Sequence, residues 1–300
     1  MVIKLRIQIK KYKTLAVFIL IITFWGAFAQ ADFFEIKISK YVIQPGDFLL
    51  VKVFCNADCR VKMNFLGITK ELNINENGFF IGMAACSYYT SPGSYSLSVE
   101  VAEGNTKIKK EVQIEVIKRH FPEENIWVAE SIRKKILTEE NRISDAAISK
   151  KARSESENKA YPPLWQGPFI WPVKGIVTAK FGLIRYVNKI ENGRHSGLDI
   201  AAPTGTPVVA ANQGQVVLAS SLNLTGLTVM VYHGLDVYTT YAHLSKINVK
   251  VGDFVHKGEI VGEVGATGLA TGPHLHLTFR VGDIPVDPYL FLEQEIEWNF

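Results

Sequence analysis

Two histidines lie two residues apart in a β-prone, apolar run near the end of the chain, His274-Leu-His276-Leu. Residues two apart in a β-strand point to the same face, so both imidazoles would face one space while Leu275 and Leu277 pack behind them. Neutral imidazole is a zinc ligand and a proton acceptor. The pair is therefore half of a candidate metal or acid–base site, although two solvated or core histidines in a strand would have the same pattern.

Two other stretches offer further groups of the same kind. His195 and Asp199 supply an imidazole and a carboxylate, and a turn at Ser196-Gly197 would let both side chains converge. A β-branched and aromatic run adds His243. Four histidines and one aspartate exceed the three protein ligands of a catalytic zinc site, which keeps its fourth position for water. The surplus favours a hydrolytic zinc site with uncoordinated acid–base groups beside it.

No cysteine follows Cys86, so a thiolate-rich structural zinc site is excluded from this half of the chain. Cys55, Cys59 and Cys86 are the three cysteines, and this odd number allows one disulfide and leaves one thiol over. Pairing of Cys55 or Cys59 with Cys86 would join two strands.

Residues 171–291 contain eight short motifs in the order of a known family. They are Val177-Thr-Ala-Lys-Phe181-Gly182, His195-Ser-Gly-Leu-Asp199, Gly205-Thr-Pro-Val208, Gly214-Gln-Val216, Thr240-Tyr-Ala-His243-Leu244, Gly252-Asp-Phe-Val255, Gly272-Pro-His-Leu-His276 and Pro285-Val-Asp-Pro288. Together they resemble the lysostaphin-type (LytM-domain) zinc metallopeptidases, which cut peptide bonds in bacterial peptidoglycan. The resemblance implies an antiparallel β domain whose groove holds the zinc.

The resemblance also implies roles for individual residues. His195, Asp199 and His276 would bind one Zn²⁺ per chain, and His243 and His274 would be uncoordinated catalytic histidines. The sequence alone does not decide which of His274 and His276 binds the metal. Many family members carry an active-site tyrosine upstream of the first metal histidine, but the nearest candidate here, Tyr186, is left unassigned because the loop does not align.

The implied function is that of an exported zinc metallo-endopeptidase that hydrolyses peptide cross-links of bacterial peptidoglycan. The alternative is a non-catalytic LytM-domain activator of other cell-wall hydrolases. A purely structural zinc module in an exported adhesin is a third possibility, and it would require a fourth protein ligand. We expect a peptidoglycan peptide as substrate, no nucleic-acid partner and a monomer.

The N-terminus has the features of an export signal. The only charged residues before residue 30 are five cations at positions 4–13, and because they exceed the net charge of +4, the rest of the chain is nearly neutral. The apolar run Leu15 to Phe28 follows and ends in the small-x-small pattern Ala27-Phe-Ala29, which predicts a signal peptide over residues 1–29. The alternative is an uncleaved membrane anchor over Thr14 to Ala31. Either reading places the protein in the periplasm or cell envelope.

The rest of the chain divides into three segments by pattern. Short alternating strands broken by turns predict an immunoglobulin-like β-sandwich over residues 33–119. A charged segment with four-residue apolar spacing predicts a helical linker over 122–160. Strands punctuated by glycines predict a mainly β peptidase domain over 165–292, in which His233 is structural and His256 lies at the surface. The first domain and the linker could lie across the enzyme's groove until they are displaced.

Overall fold

The computed structural model describes residues 33–74, 78–157 and 163–296. The signal peptide expected over residues 1–29 lies outside the described residues. Among those residues, no helix is both long enough and apolar enough to cross a membrane. The described residues from Phe34 onward form one compact unit that is mainly β.

An N-terminal β region comes first. Its strands are β1 (Glu35–Ile38), β2 (Val42–Ile43), β3 (Phe48–Phe54), β4 (Arg60–Phe65), β5 (Ile68–Ile74), β6 (Phe80–Ala85), β7 (Gly93–Glu103) and β8 (Thr106–Val116). They form an eight-stranded path in the order β1-β3-β6-β5-β4-β7-β8-β2. All pairings are antiparallel except β2 with β8. The more specific immunoglobulin-like assignment stays a prediction.

The burial pattern along these strands shows whether one face or both faces of each strand are buried. Buried and exposed residues alternate in β4, because one face of an antiparallel strand packs on the core and the other meets water. Strand β6 is buried along its whole length, and β3 is buried except at its last residue. Their second faces pack against the C-terminal region, since Leu50 and Met83 share a core cluster with Val281 and Phe291. The disulfide that the odd cysteine count allowed is not formed, and all three cysteines are free thiols.

The segment between the two β regions contains β9 (Glu123–Ile126), α1 (Glu130–Ile136) and α2 (Glu139–Glu157). The two helices lie within the segment for which charge and spacing predicted a helical linker, whereas β9 was not predicted. Strand β9 pairs in parallel with β11 of the following region. Helix α2 is not solvated on all sides, because Asp145 and Arg153 are buried. The linker is therefore packed against the C-terminal region.

The C-terminal region consists of short strands and one short helix. They are β10 (Ile176–Ala179), β11 (Ile184–Val187), β12 (Ile190–Arg194), β13 (Leu198–Ala201), β14 (Pro207–Val209), β15 (Gly214–Leu222), β16 (Gly226–Tyr232), β17 (Val237–Leu244), β18 (Lys246–Ile247), β19 (Phe254–Val255), β20 (Ile260–Glu263), β21 (His274–Val281), β22 (Ile284–Val286) and α3 (Tyr289–Leu292). The main antiparallel sheet has the order β10-β13-β21-β17-β16-β15-β19, with β22 added to β21. Smaller sheets are β12-β11-β9 and β14-β20-β18.

Strand β21 lies in the interior of the main sheet, and its side chains alternate between the two faces of the sheet. Leu275, Leu277 and Phe279 pack into the hydrophobic core on one face. Alternation sends His274, His276, Thr278 and Arg280 to the other. We call this second face of the sheet the histidine face. The strand thus places both members of the His-Leu-His pair on one side, with the leucines behind them.

Candidate metal centre

Three strands of the main sheet bring the candidate ligands together. Strand β21 pairs with β13 on one side and β17 on the other, so that His276 lies opposite both Asp199 and Ala242. Directly opposed residues of neighbouring strands project to the same face, which puts the Asp199 carboxylate beside the His276 imidazole. His195 stands four residues before Asp199, and its backbone N–H donates to the carbonyl of Leu183. The segment from His195 to Asp199 thus brings the His195 side chain next to Asp199 and His276.

The three side chains present one atom each to a common point. His195 Nε2 lies 2.9 Å from Asp199 Oδ1 and 2.9 Å from His276 Nδ1. His276 Nδ1 lies 2.7 Å from Asp199 Oδ1. All three residues are buried. Within the described ranges, this is the group of His, Cys, Asp or Glu residues whose ligand atoms all lie within 4.8 Å of one another.

Outer hydrogen bonds show that lone pairs face each other at this point. His195 Nδ1 lies 2.8 Å from the Lys180 carbonyl, which can only accept, so Nδ1 carries the proton and Nε2 presents its lone pair. That lone pair faces a carboxylate oxygen, which is also an acceptor. His276 Nε2 lies 3.0 Å from Thr278 Oγ1, and when it donates there, Nδ1 presents a third lone pair. Three converging acceptors in a buried site fit a bound cation, and two imidazoles with one carboxylate fit zinc.

The pKa shifts agree with a site that contains an ionised Asp199 carboxylate and a neutral His276 imidazole. Burial alone would raise the pKa of Asp199, but the adjacent imidazoles of His195 and His276 hold it well below its usual range. Burial lowers the pKa of His276 to about 4, although Asp199 opposes this shift. The carboxylate is therefore ionised and the His276 imidazole neutral near pH 7, as metal ligation requires.

His243 reaches this site through a bulge in β17. Leu227 pairs with Leu244 and Val229 with Tyr241, so β17 holds one more residue than β16 between these pairs. His243 has φ of 60°, in the left-handed region that residues other than glycine rarely adopt. Tyr241 and Leu244 both stay in the core, while the bulge turns the His243 ring toward the histidine face.

The His243 ring is held by one nitrogen and leaves the other free for chemistry. Nδ1 donates to the Thr267 carbonyl at 2.8 Å, so Nε2 is an unprotonated acceptor. Burial, together with neighbouring His276 and His274, lowers the pKa of His243 to about 3. The ring centroid lies 5.9 Å from that of His276 and 4.7 Å from that of His274.

His274 is arranged in the same way as His243. Its Nδ1 donates to the Gly272 carbonyl at 2.8 Å, and its Nε2 lies 3.8 Å from Asp199 Oδ1. His274 is therefore adjacent to the converging group but is not one of its three members. The two histidines of the His-Leu-His pair thus differ in geometry, because His276 presents Nδ1 to the group and His274 directs Nε2 toward it.

Two charged residues that the sequence did not single out also reach the site. Arg185 in β11 donates from Nη2 to Asp199 Oδ2 at 2.6 Å and from Nε to Glu124 Oε2 at 3.0 Å. Glu124 lies in β9 of the linker. No motif marks either residue, and the loop containing Arg185 did not align with the family. The period-two pattern of β21 could have found Thr278, which stands two residues after His276.

The remaining candidates lie away from the site or face away from it. His233 is fully buried, with Nδ1 donating to the Gln213 carbonyl at 2.8 Å and Nε2 lying 2.8 Å from Thr239 Oγ1, so it is structural. His256 is exposed, as expected. Tyr186 follows Arg185 in β11, and alternation along the strand directs it away from the side that reaches Asp199.

Comparison with known sequences gives a family match around this site. Residues 193–288 match the family described as Peptidase family M23. The peptidoglycan DD-endopeptidase ShyA of Vibrio cholerae is 44% identical over 93 residues, which make up 31% of this chain and 22% of that protein. The chain spans about a fifth of the length of the curated relatives it matches. The family-matched residues 193–288 contain all five candidate site residues.

Solved structures extend the similarity. The crystal structure of a protein described as an M23 peptidase from Pseudomonas aeruginosa matches with a TM-score of 0.59 and 28% identity, covering 84% of this chain and 95% of that one. The catalytic domain of the antimicrobial peptidase lysostaphin from Staphylococcus simulans is 35% identical, with a TM-score of 0.37, covering 40% of this chain and 93% of that domain. The first of these similarities reaches well beyond residues 193–288.

Proposed function

The chain belongs to peptidase family M23, and we propose that it is an exported zinc metallo-endopeptidase that hydrolyses peptide cross-links of bacterial peptidoglycan. The substrate class follows from the relative named a peptidoglycan DD-endopeptidase, together with the family motifs around the site. An enzyme of this kind acts in the cell envelope. The export signal predicted over residues 1–29 would bring it there.

His195, Asp199 and His276 would hold one zinc ion per chain through Nε2, Oδ1 and Nδ1. These three converging acceptors are the observation that most supports the proposal. Two imidazoles and one carboxylate form a three-ligand set, which leaves one position of a four-coordinate zinc open. When bound, zinc supplies a water of lowered pKa and polarises the carbonyl of the scissile bond.

His243 and His274 would move the protons of the reaction. Each has Nδ1–H fixed by a backbone carbonyl, so each offers an unprotonated Nε2 to the site. An Nε2 in this position accepts the proton released by the attacking water and donates a proton to the amine that leaves. A positioned acid–base group of this kind typically gives about 10²- to 10⁴-fold in rate.

A non-catalytic activator of other cell-wall hydrolases is the alternative function. Such a protein does not need metal ligands or acid–base groups, whereas all five residues are present here and adjacent to each other. A structural zinc module would need a fourth protein ligand. It would have to recruit His243 or His274, which do not belong to the converging group.

Mass spectrometry of muropeptides tests the proposed activity. Residues 30–300 are incubated with purified peptidoglycan, with zinc in one arm and a chelator in the other. We expect a zinc-dependent loss of cross-linked dimers and a matching gain of monomers, whose masses identify the bond cut. Unchanged muropeptides in both arms would contradict the endopeptidase and favour the activator.

A further inference from the structure

The two carboxylate oxygens of Asp199 have different neighbours. Oδ1 faces the imidazoles, at 2.9 Å from His195 Nε2 and 2.7 Å from His276 Nδ1. Oδ2 instead accepts a hydrogen bond of 2.6 Å from Arg185 Nη2. A carboxylate can bind a metal through one oxygen or through both. Here the second oxygen is already bound to a guanidinium group.

Arg185 is itself held in place from the other side. Its Nε donates to Glu124 Oε2 at 3.0 Å, so the guanidinium bridges Glu124 and Asp199. Glu124 and Arg185 are directly paired in the parallel ladder of β9 and β11. Both lie outside the matched range 193–288. The linker strand therefore contributes to a contact of the metal centre that the family match does not include.

We propose that Arg185 is a positioning residue that keeps Asp199 a one-oxygen metal ligand, and that Glu124 of the linker holds Arg185 in this orientation. The inference rests on the proposed function. A second bound oxygen would fill a coordination position that water or substrate needs. By occupying Oδ2, Arg185 keeps that position open.

Because Arg185 is positively charged, a positioning role and a purely supporting role predict different effects on zinc affinity. A cation next to a dication lowers metal affinity by Coulomb repulsion, so Arg185 does not serve to strengthen zinc binding. Its removal would take away that repulsion and free a second ligand oxygen. Metal affinity would then be unchanged or higher, while turnover would fall. General damage to the site would weaken both together.

The test compares the whole chain carrying Arg185→Gln or Arg185→Lys with the wild type. Zinc affinity is measured by competition with a chelator, and kcat and KM are measured on cross-linked muropeptides. The visible spectrum of the Co²⁺-substituted protein reports changes in the metal ligands. For Arg185→Gln we expect kcat to fall by about 10- to 100-fold with little change in KM, the range for losing a partner of a ligand. Zinc affinity should be equal or tighter, and the Co²⁺ bands should shift because a second carboxylate oxygen replaces water among the ligands. Arg185→Lys should keep more of the rate, because lysine retains one donor for Oδ2.

The Glu124 contact is tested by a matched pair on the same strand. Glu123 is exposed and is paired with Ile184 rather than with Arg185, so Glu123→Gln controls for Glu124→Gln. We expect Glu124→Gln to lower kcat about two- to fivefold, the effect of losing a partly exposed ion pair, and Glu123→Gln to have no effect.

Several results would overturn the inference. One is an Arg185→Gln protein that keeps the wild-type rate and Co²⁺ spectrum. Another is a folded Arg185→Gln protein whose zinc affinity and rate fall together. If Arg185→Gln does not fold, an equal rate for Glu124→Gln and Glu123→Gln would still refute the link to the linker. A wild-type protein that binds no zinc or cuts no muropeptide would instead refute the proposed function.

Discussion

Each of the five site residues has one ring nitrogen or carboxylate oxygen bound outward and another left facing the site. His195 is tied to the Lys180 carbonyl, His243 to the Thr267 carbonyl and His274 to the Gly272 carbonyl. Such outer bonds fix the tautomer and the ring orientation of a metal ligand or a general base. The division into ligands and bases then follows from which atoms converge.

The substitutions His276→Ala and His243→Ala should separate the two roles. His276→Ala removes one of three metal ligands, so we expect loss of tight zinc binding and of turnover together. His243→Ala removes only an acid–base group, so zinc should stay bound while the rate falls by about 10²- to 10⁴-fold. Zinc content of the purified variants and release of muropeptides measure both effects. Equal loss of zinc in the two variants would show that the roles are assigned wrongly.

His233 should make the fold sensitive to acid. Burial lowers the pKa of His233 to about 4 from a usual 6.5, so the folded state keeps this ring neutral. Between pH 6.5 and about 4, only the unfolded chain takes up a proton on this ring. The free energy of unfolding is therefore unaffected by titration of His233 above pH 6.5 and falls as the pH is lowered to about 4. The difference amounts to about 3 kcal/mol.

Denaturant unfolding at pH 7 and pH 4.5, in the presence of a chelator, measures this effect. His233→Asn should be less stable than the wild type at pH 7 and should lose less stability on acidification. The exposed His256→Asn is the control and should follow the wild type. Parallel pH profiles for His233→Asn and the wild type would rule out His233 as the source of the acid sensitivity.

The residue pattern predicts part of this site and misses the rest for physical reasons. Period-two alternation is enough to place His274 and His276 on one face. The bulge that turns His243 toward that face depends on the register of β17 with β16, which a sequence does not display. Arg185 meets Asp199 from a strand whose loop carries no recognised motif, and Glu124 meets Arg185 only through the pairing of β9 with β11, across 61 positions in the chain.

At the scale of elements, helix α2 lies on the histidine face of the main sheet. Tyr238 is paired with Arg280, so it projects to the same face as His276 and Thr278. Ala152 of α2 packs in one apolar cluster with residues of this face, which are Leu218, Leu222, Met230, Tyr232 and Tyr238. Arg280 lies four positions after His276 in the extended strand, a distance of about 13 Å. The helix therefore covers part of the histidine face, and we expect it to restrict a substrate peptide that extends from the site along this face.

Release of α2 should raise the turnover of cross-linked peptidoglycan. Ala152→Asp places a charge in the apolar contact with the sheet, which is unfavourable without a partner, and should displace the helix. Ala147→Asp is the matched control, because it makes the same change on an exposed position of the same helix. Initial rates of muropeptide release at equal zinc occupancy measure the effect. An unchanged or lower rate for Ala152→Asp would show that α2 does not restrict the substrate.

At the scale of the whole molecule, the β regions and the linker form one unit around the site. Residues of the N-terminal β region share the main hydrophobic core with the peptidase region. The linker contributes Glu124, which contacts Arg185 beside the candidate metal centre, and Ala152, which packs on the histidine face. The division of the chain into three segments stays a prediction. The contacts between the segments could not be predicted, because they depend on how separately patterned surfaces fit together.

Titration of the metal-free protein with zinc tests whether His195, Asp199 and His276 form the zinc site of an active endopeptidase. Residues 30–300 are stripped with a chelator, zinc is added back in steps, and release of monomers from cross-linked peptidoglycan is followed at each step. We predict no turnover without metal and a rise that reaches its maximum at one zinc per chain, because one group of three ligands holds the ion. Turnover that persists in the stripped protein, or that stays absent at full zinc occupancy, would contradict a zinc endopeptidase built on His195, Asp199 and His276.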